Sequence, residues 1–246
     1  MKRLIKFVPY FIIAVVVVAG VVFVSLAKND SAVSSTAVAD APLIIIDAGH
    51  GGVDGGAVAA DGTQEQYINL DIALKLNEAL IAKGYKALMT RTDNNSIHDA
   101  SAVTTREKKV SDIHNRLKII EANPDSIFVS IHQNYYTESK YWGTQVFYSP
   151  NNPESSVLAQ CIQSGVVADL QPDNTRQIKE SGDSIYILYN TTVPAVMVEC
   201  GFLSNYEETA KLNDEIYRQQ MADSICNGII NYLNGGNAES ETVGED

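Results

Sequence analysis

Positive charge is scarce in this 246-residue chain, where 18 Lys and Arg face 30 Asp and Glu for a formal net charge of −12. A nucleic-acid partner needs a cationic footprint to neutralise phosphates, so that class of function is set aside. Cysteine is scarcer still. Cys161, Cys200 and Cys226 are an odd three without C-x-x-C spacing, which removes a cysteine-based metal motif and leaves them as free, mostly buried thiols. The body of the chain has no internal repeat and no low-complexity stretch.

One long apolar run stands out against this background. Phe7 to Ala27 is 21 uncharged residues, preceded by Lys2, Arg3 and Lys6. As a helix it would span roughly 30 Å, the hydrocarbon thickness of a bilayer. Residues 1–42 hold four basic groups against two acidic ones, leaving 14 against 28 beyond them. The positive-inside rule then keeps the N-terminus in the cytoplasm and sends the acidic body across the membrane as a single-pass, extracytoplasmic domain. A cleaved signal peptide is the competing reading, but its apolar region is usually only about 7 to 15 residues.

The expected organisation is a basic end and membrane anchor over 1–27, a flexible linker over 28–42, one domain over 43–234 and an acidic disordered tail over 235–246. Inside the domain, apolar runs alternate with segments of helical period. This predicts a single α/β layered domain with a mostly parallel central sheet of about six strands flanked by helices. The strand candidates are Leu43–Asp47, Tyr85–Thr90, Ile127–His132, Thr144–Tyr148, Ile185–Leu188 and Ala195–Glu199. Ile68, Ile72, Leu76 and Leu80 give a helix one apolar stripe, with Thr63 and Gln66 as a capping box and Gly84 as its stop. Further helices are expected over Ser111–Glu121, Glu154–Leu170 behind Pro153, and Glu215–Leu233 with Ile216, Ile225 and Ile229 toward the sheet.

Open α/β sheets gather ligands at strand ends, and four residues fall at strand ends or helix starts. His50 follows the first strand in Asp47-Ala48-Gly49-His50-Gly51-Gly52, and His132 ends the strand Ile127–Ile131. Glu65 lies in the first turn of the capped helix, where the helix dipole alone would favour a carboxylate. Glu199 ends the apolar run Val193–Val198, where an ionised carboxylate is costly unless paired, metal-bound or exposed. Two histidines and one carboxylate make the ligand set of a catalytic zinc that keeps a fourth position open. Spacing alone leaves this unproven, because each residue has a bland structural explanation as well.

Four segments together resemble a known family. Asp47-Ala48-Gly49-His50-Gly51-Gly52, Glu65 with Ile68-Asn69-Leu70, Ser130-Ile131-His132-Gln133-Asn134 and Val198-Glu199-Cys200-Gly201-Phe202-Leu203-Ser204-Asn205 are similar to the motifs of the zinc-dependent N-acetylmuramoyl-L-alanine amidases of type 3. The motifs run in order over essentially the whole domain. The resemblance implies one zinc per chain bound by His50, Glu65 and His132, with Glu199 as the catalytic carboxylate. It implies peptidoglycan as substrate, cut between N-acetylmuramic acid and L-alanine. The lone N-terminal anchor also resembles the sporulation amidases of the family, which help form muramic-δ-lactam in spore cortex. Alternatives from other classes are a zinc peptidase or carboxypeptidase acting on stem peptides, and a non-catalytic wall-binding protein.

Departures from the family pattern are Ala48 for a frequent Pro, Gln66 for a frequent Lys, and the polar Gln133 and the thiol Cys200 for apolar or small residues. Cys200 has a rival reading as ligand or nucleophile beside its reading as a small buried thiol. Asn134, Tyr135 and Trp142 are candidate substrate contacts, in a loop that also carries Tyr136 and Tyr141. Arg91 and Arg116 read as surface charges, and His98 and His114 are not assigned to the metal. The polar connection Thr92–Val110 gives no sign of a helix that plugs the site, which leaves control by a separate regulatory protein open.

Overall fold

Ile44–Ala48 (β1) is buried at every position, the pattern of a strand covered on both faces of a parallel sheet. It pairs in parallel with Ala87–Met89 (β2) on one side and Ile127–Asn134 (β3) on the other. β3 pairs in parallel with Ala195–Phe202 (β6), to which Gln145–Tyr148 (β4) runs antiparallel. Lys179–Glu180 (β5) closes that edge beside β4, so the order is β2-β1-β3-β6-β4-β5. The computed structural model describes Val38 and residues 40–236. The apolar run 7–27, most of the linker and the tail from 237 lie outside the described residues. Among the described residues no helix is long and apolar enough to cross a membrane.

Helix Glu65–Ala82 (α1) turns Ile68, Ile72, Leu76 and Leu80 into the core, as their spacing predicts. Its start is a correction to the expected capping box. Gln64 is the N-cap without a side-chain cap, Thr63 N–H donates to Asp61 Oδ1, and the Gln66 amide donates to Gln64 Oε1. The free N–H groups of Glu65 and Gln66 donate instead to the carbonyls of Ala57 and Gly55 at 2.9 and 3.1 Å. The loop that follows His50 therefore caps α1 with backbone, a partner no local side-chain pattern reveals.

Helix Thr105–Glu121 (α2) starts six residues before the expected Ser111, inside the connection read as polar loop. Thr104 and Glu107 form a reciprocal capping box there, which the T-x-x-E spacing carries in plain sight. Glu154–Leu170 (α3) and Glu215–Leu233 (α6) match expectation, and Tyr206–Asn213 (α5), capped by the Asn205 side chain, was not anticipated. Ile225 and Ile229 are fully buried, but Ile216, expected toward the sheet, is 70% exposed in the first turn of α6.

The expected strand Ile185–Leu188 is also corrected. Tyr186–Asn190 (α4) is helical, and the sixth strand is the two-residue β5. Ile187 and Leu188 are adjacent and both buried while Tyr186 and Tyr189 are exposed, a pairing that one helical turn allows and strand alternation does not. That turn packs with Leu117 and Ile120 of α2 and with Ile45, Phe128 and Ala195 of the sheet. In the other helical layer α6 packs against both α1 and α3.

Packing between α3 and α6 depends on Gly228, where an added Cβ would stand 2.6 Å from the Ile162 Cα and 3.0 Å from the Cys161 carbonyl. Gly228→Ala is expected to lower stability by about 1–3 kcal/mol through overpacking. Gly165→Ala, whose Cβ meets nothing nearer than 3.4 Å, is the control and should change stability far less. Equilibrium urea unfolding compares the two, and equal midpoints would refute the tight crossing.

Candidate metal centre and active site

The turn after β1 bends through three residues with positive φ, His50 at 62°, Gly51 at 136° and Gly52 at 59°. Such a φ is uncommon for a residue with a side chain and persists when the surroundings impose it. Two buried guanidiniums do so. Arg91 donates to the carbonyls of Ala48, Gly49, Gln66 and Asp93 at 2.8–2.9 Å. Arg116 donates to Ala48 O at 2.8 Å and to His50 O at 2.6 Å. It also pairs with Asp112 at 2.8 Å and with Asp47.

Both arginines, expected as surface charges, are buried, at 4% and 2% exposure. A guanidinium is buried at acceptable cost when its five donors meet acceptors, which here come from segments far apart in the chain. Asp47 also accepts from Thr90 Oγ1 at 2.7 Å and Ser130 Oγ at 2.6 Å. Burial opposes its ionisation, but Arg116 and these hydroxyls hold its carboxyl down at about 2.

His50 Nδ1 lies 2.9 Å from Asp54 Oδ2, and Asp54 Oδ1 is 2.7 Å from Lys109 Nζ. That contact leaves His50 Nε2 facing Glu65 Oε2 at 3.2 Å. Glu65 Oε1 is 3.0 Å from His132 Nδ1 and accepts from Gln133 N–H at 3.0 Å and from the Asn69 amide at 3.1 Å. His132 leans its other edge on Gly49, where any Cβ would stand 2.2 Å from Nε2. The two imidazoles meet edge-on with centroids 4.9 Å apart. One donor atom from each of His50, Glu65 and His132 lies within 4.8 Å of the others.

Electrostatics agrees with a cation-binding role. Burial works against charge on His50, yet Asp54 and Glu65 raise its pKa to about 9. Burial likewise opposes charge on Glu65, and the two histidines nonetheless hold its carboxyl well below the usual range. Positive charge is favoured at the point where the three donors converge. A carboxylate behind one histidine, as Asp54 stands behind His50, is the outer-shell arrangement that orients a metal-binding imidazole.

Glu199 registers opposite His132 on β3 and opposite Gln145 on β4, so the three side chains share one face of the sheet. The residue is partly open, but its Oε2 is buried and has no hydrogen-bond partner. Burial pushes its carboxyl up to about 7, with His132 and His50 opposing and Glu65 reinforcing the rise. Cys200, next along the strand, points to the opposite face and is fully buried, with its thiol pushed up by burial. It is neither ligand nor nucleophile in this arrangement.

Of the expected substrate contacts, Asn134 is half-buried at the end of β3, and Tyr135 and Trp142 are exposed. Tyr135 lines a cleft of about 350 Å³ with Asp61, Ser204 and Tyr206. A second cleft, about 310 Å³, opens beside His50 and His132 against Ile113, Tyr186 and Met197. His98 contacts Ser96, and His114 packs on Tyr186, both away from the donor cluster. Asp54 and Lys109 escape sequence reasoning, as do the supporting roles of Arg91 and Arg116. Asp54 alone had a local signal, four residues after His50 in the glycine-rich turn.

Residues 44–231 match the family model described as N-acetylmuramoyl-L-alanine amidase. The chain is 32% identical over 191 residues to the germination-specific N-acetylmuramoyl-L-alanine amidase of Bacillus subtilis, covering 78% of this chain and 79% of that one. Among solved structures it is similar to the CwlD amidase of Clostridioides difficile, determined in complex with the GerS lipoprotein, at 41% identity and TM-score 0.76 over 79% of this chain and 100% of that one. It is also similar to the amidase AmiC2 of Nostoc punctiforme, at 26% identity and TM-score 0.67 over 78% and 97%. The chain belongs to the N-acetylmuramoyl-L-alanine amidase family, hydrolases of peptidoglycan. Membership decides against the peptidase and wall-binding alternatives.

The Asp47 pairing yields a test of the frame behind this site. With its folded pKa near 2 against the ordinary 3.8, Asp47 adds stability above pH ~4 that is lost as pH falls through 2, about 2 kcal/mol in all. Asp47→Asn should remove this acid-dependent part and cost ~3–5 kcal/mol at neutral pH by leaving Arg116 unpaired. Urea midpoints measured from pH 2 to pH 7 would show it, and an unchanged acid slope in the variant would count against the pairing.

Proposed function

We propose that this chain hydrolyses the amide between N-acetylmuramic acid and L-alanine with one zinc ion held by His50, Glu65 and His132, and with Glu199 as the proton-transfer group. The observation that carries this reading is the buried, unpartnered Glu199 Oε2 in register with His132, beside three donors that lie within 4.8 Å of one another. The donor types suit zinc, whose catalytic sites take imidazole and carboxylate ligands and keep one position open. When bound, zinc supplies Lewis-acid polarisation of the scissile carbonyl and makes water acidic enough to attack near neutral pH.

The chain's own residues supply the rest. Glu199 accepts the proton of the attacking water at a carboxylate oxygen and delivers it to the alanine nitrogen, which leaves as an amine. The lactyl carbonyl carbon ends as a carboxylate. A carboxyl pushed up to about 7 suits both halves of this transfer. Asp54 holds the His50 ring by Nδ1 so that Nε2 faces inward, and Asn69 and the Gln133 N–H hold Glu65. The cleft beside His50 and His132 offers the apolar side chains of Ile113, Tyr186 and Met197 as a wall for the substrate.

The physiological part of the proposal is formation of muramic-δ-lactam in spore cortex. It is supported by similarity to a germination-specific amidase and to the CwlD amidase. That solved relative was determined with a lipoprotein, which supports a regulatory protein partner for this chain as well. The apolar run 7–27 would tether the domain on the outer side of the cytoplasmic membrane.

Mass spectrometry of peptidoglycan incubated with the purified protein and zinc tests the chemistry. Intact stem peptides with a free L-alanine amine are expected, and a chelator should abolish them. Glu199→Ala should keep zinc and lose turnover by a factor of about 100 or more, whereas His50→Ala should lose the metal itself. Turnover by Glu199→Ala at the wild-type rate would sink the assignment, and shortened stems would indicate a peptidase.

A further inference from the structure

The register of β6 changes just past Glu199. Glu199 lies opposite His132, but Phe202, three residues on, lies opposite Asn134, two residues on, so β6 carries one extra residue. The bulge turns Phe202 onto the face that bears His132 and Glu199. Arg176 covers that ring, with its guanidinium carbon 4.6 Å from the Phe202 centroid. Two further contacts fix it. Nε donates to the Trp142 carbonyl at 2.7 Å, and Nη1 donates to Gln145 Oε1 at 3.1 Å. Gln145 is the β4 neighbour of Glu199 in register, and its Nε2 is tied to the Gln177 carbonyl at 2.9 Å.

Arg176 is thus held in a set orientation beside the reacting face, half-buried, while Nη2 makes no hydrogen bond among the described residues. Among the other guanidiniums of the described residues, Arg106 stands exposed on α2 away from the sheet face, and the rest are spent. Arg91 is used up on carbonyls, Arg116 on carboxylates and carbonyls, and Arg218 on Asp71 and the Leu212 carbonyl. Glu208 is the acid that feels Arg176, but its Oε2 is occupied by the N–H groups of Gly143 and Phe202, and the two form no ion pair. What distinguishes Arg176 is its position, a cation held rigid on the face that bears Glu199 and left without a carboxylate.

We propose that Arg176 binds the carboxylate on the residue that follows L-alanine in the stem peptide, and so selects substrates with that carboxyl free over those with it amidated. Resting on the amidase reading above, the assignment adds the direction in which the peptide runs. Adjacent strands lie about 4.8 Å apart and an extended residue spans about 3.4 Å, so a group reached through Gln145 stands one to two residues from the bond at Glu199. The cleft on the other side has no free cation, because Lys109 is paired with Asp54 and Arg116 is buried in its own pairs. It suits the uncharged sugar.

The test compares two synthetic substrates, N-acetylmuramoyl tripeptides with D-glutamate or D-isoglutamine after L-alanine, by kcat/KM with the zinc-loaded protein. Wild type should prefer the free carboxylate about tenfold or more, mainly through KM, as expected for a charge-assisted hydrogen bond from Nη2. Arg176→Gln should bring the ratio toward one, and Arg176→Lys should retain part of it. Thermal melting reports whether either variant still folds. Were Arg176 only a support for the Trp142 loop, both substrates would slow together and the ratio would stay at its wild-type value. That result, or a wild type indifferent to the amidation, overturns the proposal. Failure of the amidase reading is distinguishable, since wild type would then cut neither substrate.

Discussion

Two guanidiniums buried behind one turn hold this site together. Arg91 and Arg116 between them take the carbonyls of Ala48, Gly49 and His50, the only stretch where a residue with a side chain adopts positive φ among the described residues. Carbonyls that would otherwise be buried without donors are satisfied, and the His50 ring is thrown inward. Asp47 and Asp112 neutralise Arg116, so the charge stays buried at tolerable cost. The turn then continues into the 55–57 loop, whose carbonyls cap α1 and deliver Glu65 to its first position. One constraint in this way sets two of the three donors.

The third donor and the proton-transfer carboxyl come from the sheet. β1, β3 and β6 are adjacent and parallel, so their C-terminal ends lie side by side. Open α/β sheets place ligands at such ends because the loops diverge there and leave room. His50, His132 and Glu199, up to 149 positions apart in the chain, become neighbours through strand order alone. The antiparallel β4 then closes the far side of Glu199 and brings in Gln145 and Arg176. Chemistry is concentrated on one sheet face while the thiol of Cys200, one residue from Glu199, is turned into the core.

Legibility followed the range of the forces involved. Helix α1, α3 and α6 and the strands β1, β3 and β6 were readable because apolar periodicity is a local record of burial. The run Ile185–Leu188 misled because four apolar residues fit a strand or one helical turn equally well, and only packing on Leu117 and Phe128 decides. The start of α2 is legible in the T-x-x-E spacing of Thr104 and Glu107, whereas the backbone cap on α1 has no local trace. The donor set was legible through residue type and motif order. Its supports, Arg91, Arg116 and Lys109, were not, since a buried ion pair needs acceptors that arrive from elsewhere.

By itself, the sequence determined the layered α/β class, the candidates His50, Glu65, His132 and Glu199, and the family resemblance that the family match then showed. These are properties of residue type and short-range pattern. Tertiary structure decided which nitrogen of each histidine faces Glu65, the unpartnered state of Glu199 Oε2, the burial of both arginines and the shift that puts Phe202 under Arg176. Each of those depends on atoms brought together across strands or loops. Such contacts are fixed by packing and hydrogen-bond satisfaction in the folded chain, and no spacing along the sequence encodes them.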